Sequence, residues 1–477
     1  MPASAARRAG PDGLLAMPPL RAIGTLAAPT TVVMLVAAAS NALSTWYVSR
    51  LGTDAIAAVS LVFPVSLLAT TAMAGGIGAG ASSSVARALG AGRQTAANVL
   101  AGHALVLSLA TGLLFALGIM VGAPTMFRWM GASGVVLGAA TLFARVLFGG
   151  AAITFAGAML DSVLRGEGNT RVPALWSSVS LLLQMVVTPL AMFAAGLGLV
   201  GAAIAPLVCQ LVALVPRARF VFGGGSVVEP RLGALTLEPI RDILRVGVPA
   251  ALATSLSNVG IMVMTGVLAR LGDADLAAYG LGTRFDFLLL SFAYGVGAAM
   301  LTLVGMASGA HRPDLVRGFI LRAATIIVVL LAVPGLLLSW HPALWLGIFT
   351  QDARIRTVGA SYFRLIGPSY PFVGIAMVSA FAFQGLGRAT TPLVWMAFRV
   401  FGVLGAALTC TQILGLGERA VFATIAGGNV VSAMVMAALL ARTVRSLEGQ
   451  AGPRGNRRRS AVGPEEPGPL SVNSPGS

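Results

Sequence analysis

Twelve long apolar runs follow one another along almost the whole chain. Each is near or above the ~20 apolar residues that an α-helix needs to cross a bilayer. Because lipid offers the backbone no hydrogen-bond partners, runs of this length are expected to form helices. They lie near residues 22–48, 55–80, 97–121, 134–163, 173–195, 199–222, 243–269, 276–303, 319–339, 358–384, 392–413 and 420–441. The sequence therefore predicts an all-α polytopic membrane protein with twelve transmembrane helices.

The shortage of charge excludes several functional classes. Charged residues make up 10% of the 477 residues, whereas soluble domains carry about 25%. All 32 basic residues are arginines, and most of them lie between the apolar runs, without the clustered face of a nucleic-acid binder. The sequence has no nucleophile–base pair, metal-ligand cluster or nucleotide-binding loop. We therefore expect no enzyme activity, no nucleic-acid partner, and no cofactor or metal.

The arginines are shared unevenly between the two sides of the predicted helices. Counted over alternate loops, 22 lie on the side of both termini and 6 on the other. The other four, which lie inside spans or at their mouths, are Arg145, Arg284, Arg364 and Arg399. Because loops rich in positive charge stay in the cytoplasm, the sequence predicts a multi-pass membrane protein with both termini cytoplasmic. The membrane is expected to be a bacterial inner membrane.

The two halves of the chain repeat each other at an offset of 219 or 220 residues. Arg50-Leu51-Gly52 matches Arg270-Leu271-Gly272, and Gly166 matches Gly385. Since each half holds six spans, the repeats are parallel, an arrangement that encloses a central cleft suited to alternating access. The expected organisation is a cytoplasmic tail 1–21, an N-terminal six-helix lobe 22–222, a cytoplasmic linker 223–242, a homologous C-terminal lobe 243–445 and a disordered basic tail 446–477.

Several short motifs recur in both halves between about residues 20 and 445. They include Arg50-Leu51-Gly52-Thr53, Ala88-Leu89-Gly90-Ala91-Gly92, Leu164-Arg165-Gly166-Glu167-Gly168-Asn169-Thr170, Gly201-Ala202-Ala203 and Phe383-Gln384-Gly385-Leu386-Gly387-Arg388. In order and spacing the chain resembles the multidrug and toxic compound extrusion (MATE) family. The resemblance implies two lobes in a V and cation-coupled export of organic, often cationic and amphipathic compounds. A lipid-linked oligosaccharide flippase and an uncoupled relative are the alternatives.

The acids that the resembled family often uses for coupling are missing here. Members often have an Asp in span one and an Asn and Asp pair in span five, where this chain has Ser44, Gln184 and Thr188. Another branch has a Glu in span seven, where this chain has Ser257-Asn258. A sodium ion is normally bound by hard oxygen ligands that include a carboxylate. Proton coupling is therefore expected in preference to sodium coupling.

Two carboxylates lie within spans, and Asp286 and Asp161 are the candidates for cation coupling. Asp161 is four residues before Arg165, so an ion pair on the helix surface is the favoured interpretation. Asp286 lies about a third of the way into span eight, where a carboxylate needs a partner or water. Its candidate partners are Arg399, Arg364 or a proton. A structural salt bridge in the C-terminal lobe is the alternative to a transport role.

Polar residues inside spans are candidates for lining a substrate cleft, although such residues also join helices by hydrogen bonds. The candidates are Asn41, Ser44, Gln184, Thr188, Asn258, Tyr279, Arg284, Gln384 and Arg399. The expected partners are a small organic substrate, a proton or sodium ion, and the lipid bilayer. The chain is expected to act as a monomer.

Overall fold

Helices make up almost all of the chain in a computed structural model that describes residues 11–231 and 236–451. The first half contains α1 (Pro11–Ala16), α2 (Pro19–Ser49), α3 (Thr53–Thr70), α4 (Gly78–Gly90), α5 (Gln94–Trp129), α6 (Gly134–Gly149), α7 (Ala151–Gly166), α8 (Arg171–Pro189) and α9 (Gly198–Phe222). The second half contains α10 (Leu237–Ala269), α11 (Asp273–Gly309), α12 (Pro313–Trp340), α13 (Ala343–Phe349), α14 (Ala353–Ile366), α15 (Tyr370–Gly385), α16 (Thr390–Leu408) and α17 (Glu418–Ala451).

Short turns of other helix types join some of these helices into continuous spans. A π-helical turn at Thr71–Ile77 connects α3 to α4, and two more extend α8 and α16 at Leu190–Ala194 and Thr409–Ile413. A 3-10 turn at Gly367–Ser369 connects α14 to α15. Such turns shift the backbone register without exposing polar groups to lipid, so they are tolerated inside membrane spans.

The expected twelve spans are confirmed within the described residues. Eleven helical stretches are long and apolar enough to cross a membrane, and α6 with α7, bent by 46°, forms a twelfth. The short helices α1 and α13 were not expected. α10 begins at Leu237, so the end of the region expected as a linker is helical; Glu238 in its first turn favours that start because the helix dipole is positive there. α17 continues to Ala451, and the remainder of the expected tail lies outside the described residues.

The structure repeats itself as the sequence does. Residues with positive φ occur at equivalent positions of the two halves. At these positions the backbone has the left-handed conformation that L residues rarely adopt. The pairs are Gly52 and Gly272, Gly92 and His311, Gly168 and Gly387, and Gly196 and Gly415. The π turns at Leu190–Ala194 and Thr409–Ile413 are likewise 219 residues apart. The chain is therefore built from two six-span lobes with the same turns.

The first two spans of each half form the interface between the lobes. α2 packs against α11, while α10 packs against α4 and the π turn before it. Glycines allow the close approach: a methyl group at Gly80 would lie 2.2 Å from the carbonyl oxygen of Ile243. The apolar core of the C-terminal lobe continues across this interface to Ile23 and Leu26 of α2. We call the end of the lobes that carries residues 223–231 the linker side.

Candidate functional site

Asp286 lies in α11 at the centre of a tyrosine cluster. The hydroxyl of Tyr362 donates to its Oδ2 at 2.6 Å, and the hydroxyl of Tyr370 donates to its Oδ1 at 2.5 Å. Across residues 11–231 and 236–451 the carboxylate forms no ion pair, so the expected partners Arg399 and Arg364 do not contact it in this structure. The partners are phenols because α14 and α15 pack against α11, whereas α16, which carries Arg399, does not. Arg364 lies on α14 but is exposed on that helix.

The local sequence explains how the two tyrosines reach one carboxylate. Tyr362 and Tyr370 lie on either side of the 3-10 turn Gly367–Ser369, which carries the chain from α14 into α15. One helical turn before Asp286, Gly282 leaves room for the Tyr362 ring, since a methyl group there would lie 2.3 Å from a ring carbon. Tyr279, expected in the cleft, is buried with its ring 6.1 Å from that of Tyr362.

Arg399 belongs to a second polar chain in the same lobe. Its Nη2 donates to Oδ1 of Asn429 at 2.5 Å, and the Asn429 amide donates to Oγ of Ser369 at 3.0 Å. Asn429 and Ser369 are 4% and 3% exposed, whereas Arg399 is half-buried. Since Ser369 directly precedes Tyr370, this chain and the Asp286 cluster share one turn of the lobe interior.

Asp161 in the N-terminal lobe forms a buried ion pair. Its Oδ2 accepts from Nη1 of Arg217 at 2.9 Å and from the hydroxyl of Ser177 at 3.0 Å. Arg217, counted above among loop residues, is instead 1% exposed within α9, and it also donates to Gln210. The expected pair with Arg165 is not formed, because the Arg165 guanidinium turns to Ser162 on its own helix. The other oxygen of Asp161, Oδ1, is enclosed and has no hydrogen-bond partner among the described residues.

The neutral candidates of the N-terminal lobe lie on two adjacent helices. α2 and α8 are joined by hydrogen bonds from Ser40 to the carbonyl of Leu181 at 3.5 Å and from Tyr47 to that of Met185 at 3.0 Å. On these helices Asn41 is exposed, Ser44 and Gln184 are half-buried, and Thr188 is 1% exposed. The Thr188 hydroxyl is fully enclosed and has no hydrogen-bond partner among the described residues.

The other candidates of the C-terminal lobe are dispersed. Asn258 in α10 is half-buried, and its amide nitrogen has no hydrogen-bond partner in the part of the chain described. Arg284 is exposed on α11. Gln384 lies at the interface between the lobes, where its carbonyl accepts from Ser83. Sequence reasoning missed Tyr362 and Tyr370 as partners of Asp286, although two of only five tyrosines in one span was an available signal.

Two equivalent hydrogen bonds close the lobes together on the linker side. Ser83 in α4 donates to the carbonyl of Gln384 at 2.5 Å, and Thr302 in α11 donates to the carbonyl of Arg165 at 3.0 Å. Ser83 and Thr302 are 219 residues apart, as are Arg165 and Gln384. Each lobe thus makes the same contact with the other.

The helix ends beside these hydrogen bonds approach each other in the same reciprocal way. A methyl group at Gly90 would lie 2.0 Å from the carbonyl oxygen of Met306, and one at Gly309 would lie 2.2 Å from that of Arg87. The Arg87 guanidinium adds an ion pair, at 3.0 Å, with Asp242 of α10. Its repeat equivalent is Met306, so the symmetric closure contains one asymmetric charged contact.

The opposite ends of the lobes make fewer contacts with each other. α3, the first half of span two, packs mainly against α6 and against the neighbouring parts of its own lobe. In contrast, α4, the second half of the same span, packs against both α10 and α11. The lobes therefore diverge away from the linker side.

The linker is attached to the N-terminal lobe. Glu167, 2% exposed in the turn after α7, accepts from the hydroxyl of Ser226 at 2.6 Å and from the backbone N–H of Val228 at 3.0 Å. Asn98 accepts from the backbone N–H of Glu229 at 3.0 Å. Loss of hydration on burial raises the pKa of Glu167 to about 7, although its hydrogen bonds act in the opposite direction.

The first five spans of each lobe match one family model. The model, MatE, covers residues 29–190 and 249–411. The chain belongs to the MatE family. Members of the MatE family are transporters, not enzymes. Among MatE relatives, a FAD transporter of Shewanella oneidensis is 26% identical over 391 residues, which are 80% of this chain and 86% of that one. A probable multidrug resistance protein NorM of Thermotoga maritima is 24% identical over 326 residues, 66% of this chain and 69% of that one.

Solved MatE transporters share the whole architecture. A MOP superfamily transporter from Pyrococcus furiosus, described with a binding pocket of reverse polarity, is 28% identical with a TM-score of 0.86 and covers 91% of this chain and 98% of its own. An outward-facing multidrug resistance MATE family transporter has the same TM-score, identity and coverage. The predicted MATE resemblance and two-lobe fold are therefore confirmed.

Proposed function

We propose that this protein exports organic compounds in exchange for protons, and that Asp286 binds the exchanged proton. The observation that carries the proposal is a carboxylate inside a membrane span whose contacts are two tyrosine hydroxyls, with no arginine partner among the described residues. An ionised carboxylate at that depth is costly unless it is paired or hydrated. Either a proton or a cationic group of the substrate can neutralise it, but not both together. This mutual exclusion is what antiport requires.

The N-terminal lobe supports the choice of a proton over sodium. Ser44, Gln184 and Thr188 offer neutral oxygens only, and the one span carboxylate of that lobe, Asp161, is engaged by Arg217. A hard cation prefers several oxygen ligands that include a free carboxylate. We therefore assign the coupling to the C-terminal lobe.

The relatives support an organic substrate. The Thermotoga relative is named for multidrug resistance, and the Shewanella relative for FAD transport. FAD is accordingly the second substrate to test. A lipid-linked oligosaccharide flippase receives less support, because a pyrophosphate group is normally bound by several cationic side chains. Among the described arginines inside the spans, Arg217 is paired with Asp161 and Arg284 is exposed on α11, whereas Arg399 contacts the neutral Asn429.

We also propose that the linker side faces the cytoplasm of a bacterial inner membrane. The support is the distribution of arginines, which is 22 against 6 from the sequence and 21 against 6 without Arg217, since that residue is buried within α9. Thr95 lies exposed on the linker side, and Ser133 lies exposed at the other end. A membrane-impermeant maleimide added to intact cells should label Ser133→Cys and spare Thr95→Cys. The opposite labelling would overturn the assignment.

The coupling is tested with inside-out vesicles that contain the reconstituted protein. Rhodamine 123 uptake should be driven by an acidic lumen and should not respond to a sodium gradient. Asp286→Asn should abolish the response to the pH gradient, since the amide mimics a permanently protonated carboxyl group. Asp273→Asn, an exposed acid at the start of the same helix, is the matched control and should transport normally. Unchanged pH dependence in Asp286→Asn would refute the proposal.

A further inference from the structure

Arg399 lies deep inside a membrane span. It is nine residues from the start of α16 at Thr390, which is roughly 14 Å along the helix axis at 1.5 Å per residue. A guanidinium at such depth is costly unless it is paired or faces water. Its single strong contact is with the neutral side chain of Asn429.

The chain contains a second intramembrane arginine that shows what a purely structural role looks like. Arg217 is 1% exposed and is paired with the carboxylate of Asp161 at 2.9 Å. Arg399 differs in both respects, because it is half-buried and no carboxylate within residues 11–231 and 236–451 forms an ion pair with it. Its guanidinium nitrogens that lack a partner are not sealed from the surface either. The group therefore has hydrogen-bond donors to offer.

The surroundings hold these donors in place. Asn429 and Ser369 are both at least nine-tenths buried, and their hydrogen bonds connect Arg399 to the turn before α15. The next residue in that turn, Tyr370, binds Asp286. The lobe interior thus presents a cationic group that is connected to the carboxylate cluster through Asn429 and the Ser369–Tyr370 turn. The planar guanidinium fits a carboxylate or phosphate in two-point contact.

We infer that Arg399, positioned by Asn429, binds an acidic group of the transported compound. The inference rests on the proposed function, since it describes the substrate of the same lobe. It implies that the preferred substrates carry a carboxylate or phosphate in addition to the part that reaches Asp286. A compound with only a cationic group would leave Arg399 without a counter-charge.

Two dyes of the same ring system provide the probe. Rhodamine 110 has a free carboxylate, and rhodamine 123 is its methyl ester. Fluorescence polarisation with the purified full chain in phosphate-free detergent should show about tenfold tighter binding of rhodamine 110, the effect of one charge-assisted contact. Equal affinity, tighter binding of the ester, or binding of neither dye would overturn the inference.

Two variants remove the preference by different routes. Arg399→Gln removes the cation, and Asn429→Asp supplies a carboxylate that pairs with Arg399. The Asp carboxylate cannot donate to Ser369, so the Ser369 hydroxyl must turn from the carbonyl of Ile366 to donate to it. Both should weaken rhodamine 110 binding to the level of the ester, with ester binding unchanged. Arg364→Gln, an exposed arginine of the same lobe, is the control and should retain the preference. A preference that survives in Arg399→Gln, or an equal loss for both dyes, would refute the assignment.

The binding experiment separates this inference from the coupling proposal. The dye preference is measured without any ion gradient, so it would persist if Asp286 did not couple transport to protons. Conversely, proton-driven uptake of the ester would persist if Arg399 bound no acidic group. A lipid phosphate is the other source of the same chemistry. Loss of rhodamine 110 binding on addition of phosphatidylglycerol, without loss on addition of benzoate, would assign Arg399 to lipid and overturn the inference.

Discussion

A methyl group at either reciprocal helix contact on the linker side should open the lobes there. Ala at position 90 would place its Cβ 2.0 Å from the carbonyl oxygen of Met306, and Ala at position 309 would place it 2.2 Å from that of Arg87. Both distances fall more than 1 Å below the 3.4 Å of an ordinary contact. The opposing atom is backbone in each case, so a side-chain rotation cannot relieve the clash.

The free-energy cost of the clash determines how far it shifts the equilibrium between the closed and open states of the linker side. Overpacking in a well-packed interface costs about 1 to 3 kcal/mol. A change of that size shifts a two-state equilibrium by roughly 5- to 150-fold. Gly90→Ala and Gly309→Ala should therefore each convert a closed linker side into a mixture of closed and open states. Neither glycine has a positive φ, so backbone strain adds nothing.

Double electron–electron resonance, which measures the distance between two spin labels, can test this expectation in nanodiscs. The native Cys209 and Cys410 are first replaced by Ala. Spin labels are then attached to cysteines that replace Thr95 and Arg317, which are exposed on the linker side of different lobes. A longer distance should appear in both glycine variants. Gly280→Ala on α11 is the matched control, because its methyl group would have no neighbour within 4 Å.

Two results would contradict this prediction in different ways. If Gly90→Ala and Gly309→Ala give the distance distribution of the unmodified chain and of Gly280→Ala, the close approach does not control the closure. If only one of the two glycine variants responds, the reciprocal character of the contact is refuted.

Two further predictions concern buried charges. Burial under the docked linker raises the pKa of Glu167 to about 7, so Glu167 binds a proton more tightly when the linker is docked than when it is not. Docking should therefore weaken as pH rises through 7, by about tenfold between pH 6 and 8. Amide exchange of Val228, corrected for intrinsic rates, measures this, and Glu167→Gln should remove the pH dependence. Asp161→Asn leaves Arg217 without its counter-charge and should cost about 3 to 5 kcal/mol, seen as a lower Tm in detergent. Arg165→Gln should change Tm little, and a Tm loss equal to that of Asp161→Asn would contradict the observed pairing.

Tertiary structure decided which charged side chains meet. Sequence spacing favoured Asp161 with Arg165, since they lie one helical turn apart, yet the pair formed is with Arg217, 56 residues away. Local spacing describes one helix surface only, and a side chain on the buried face finds its partner on another helix. The same reason applies to Asp286, whose tyrosine partners come from residues 76 and 84 positions away.

The sequence by itself determined the helical class, the twelve spans and the two-lobe repeat. The helical class and the spans follow from the requirement that apolar runs in lipid satisfy their backbone polar groups internally, a condition that acts locally along the chain. The repeat follows from the residues that match between the two halves.

Only the tertiary structure decided which face of each helix meets which neighbour. The reciprocal bonds of Ser83 and Thr302, the docking of the linker on Glu167 and the tyrosine cluster around Asp286 all join residues that are distant in the chain. In lipid, apolar attraction does not select among helix faces, and the choice depends on close packing of small residues and on a few hydrogen bonds. Those terms depend on the positions of several helices at once, so no single stretch of sequence encodes them.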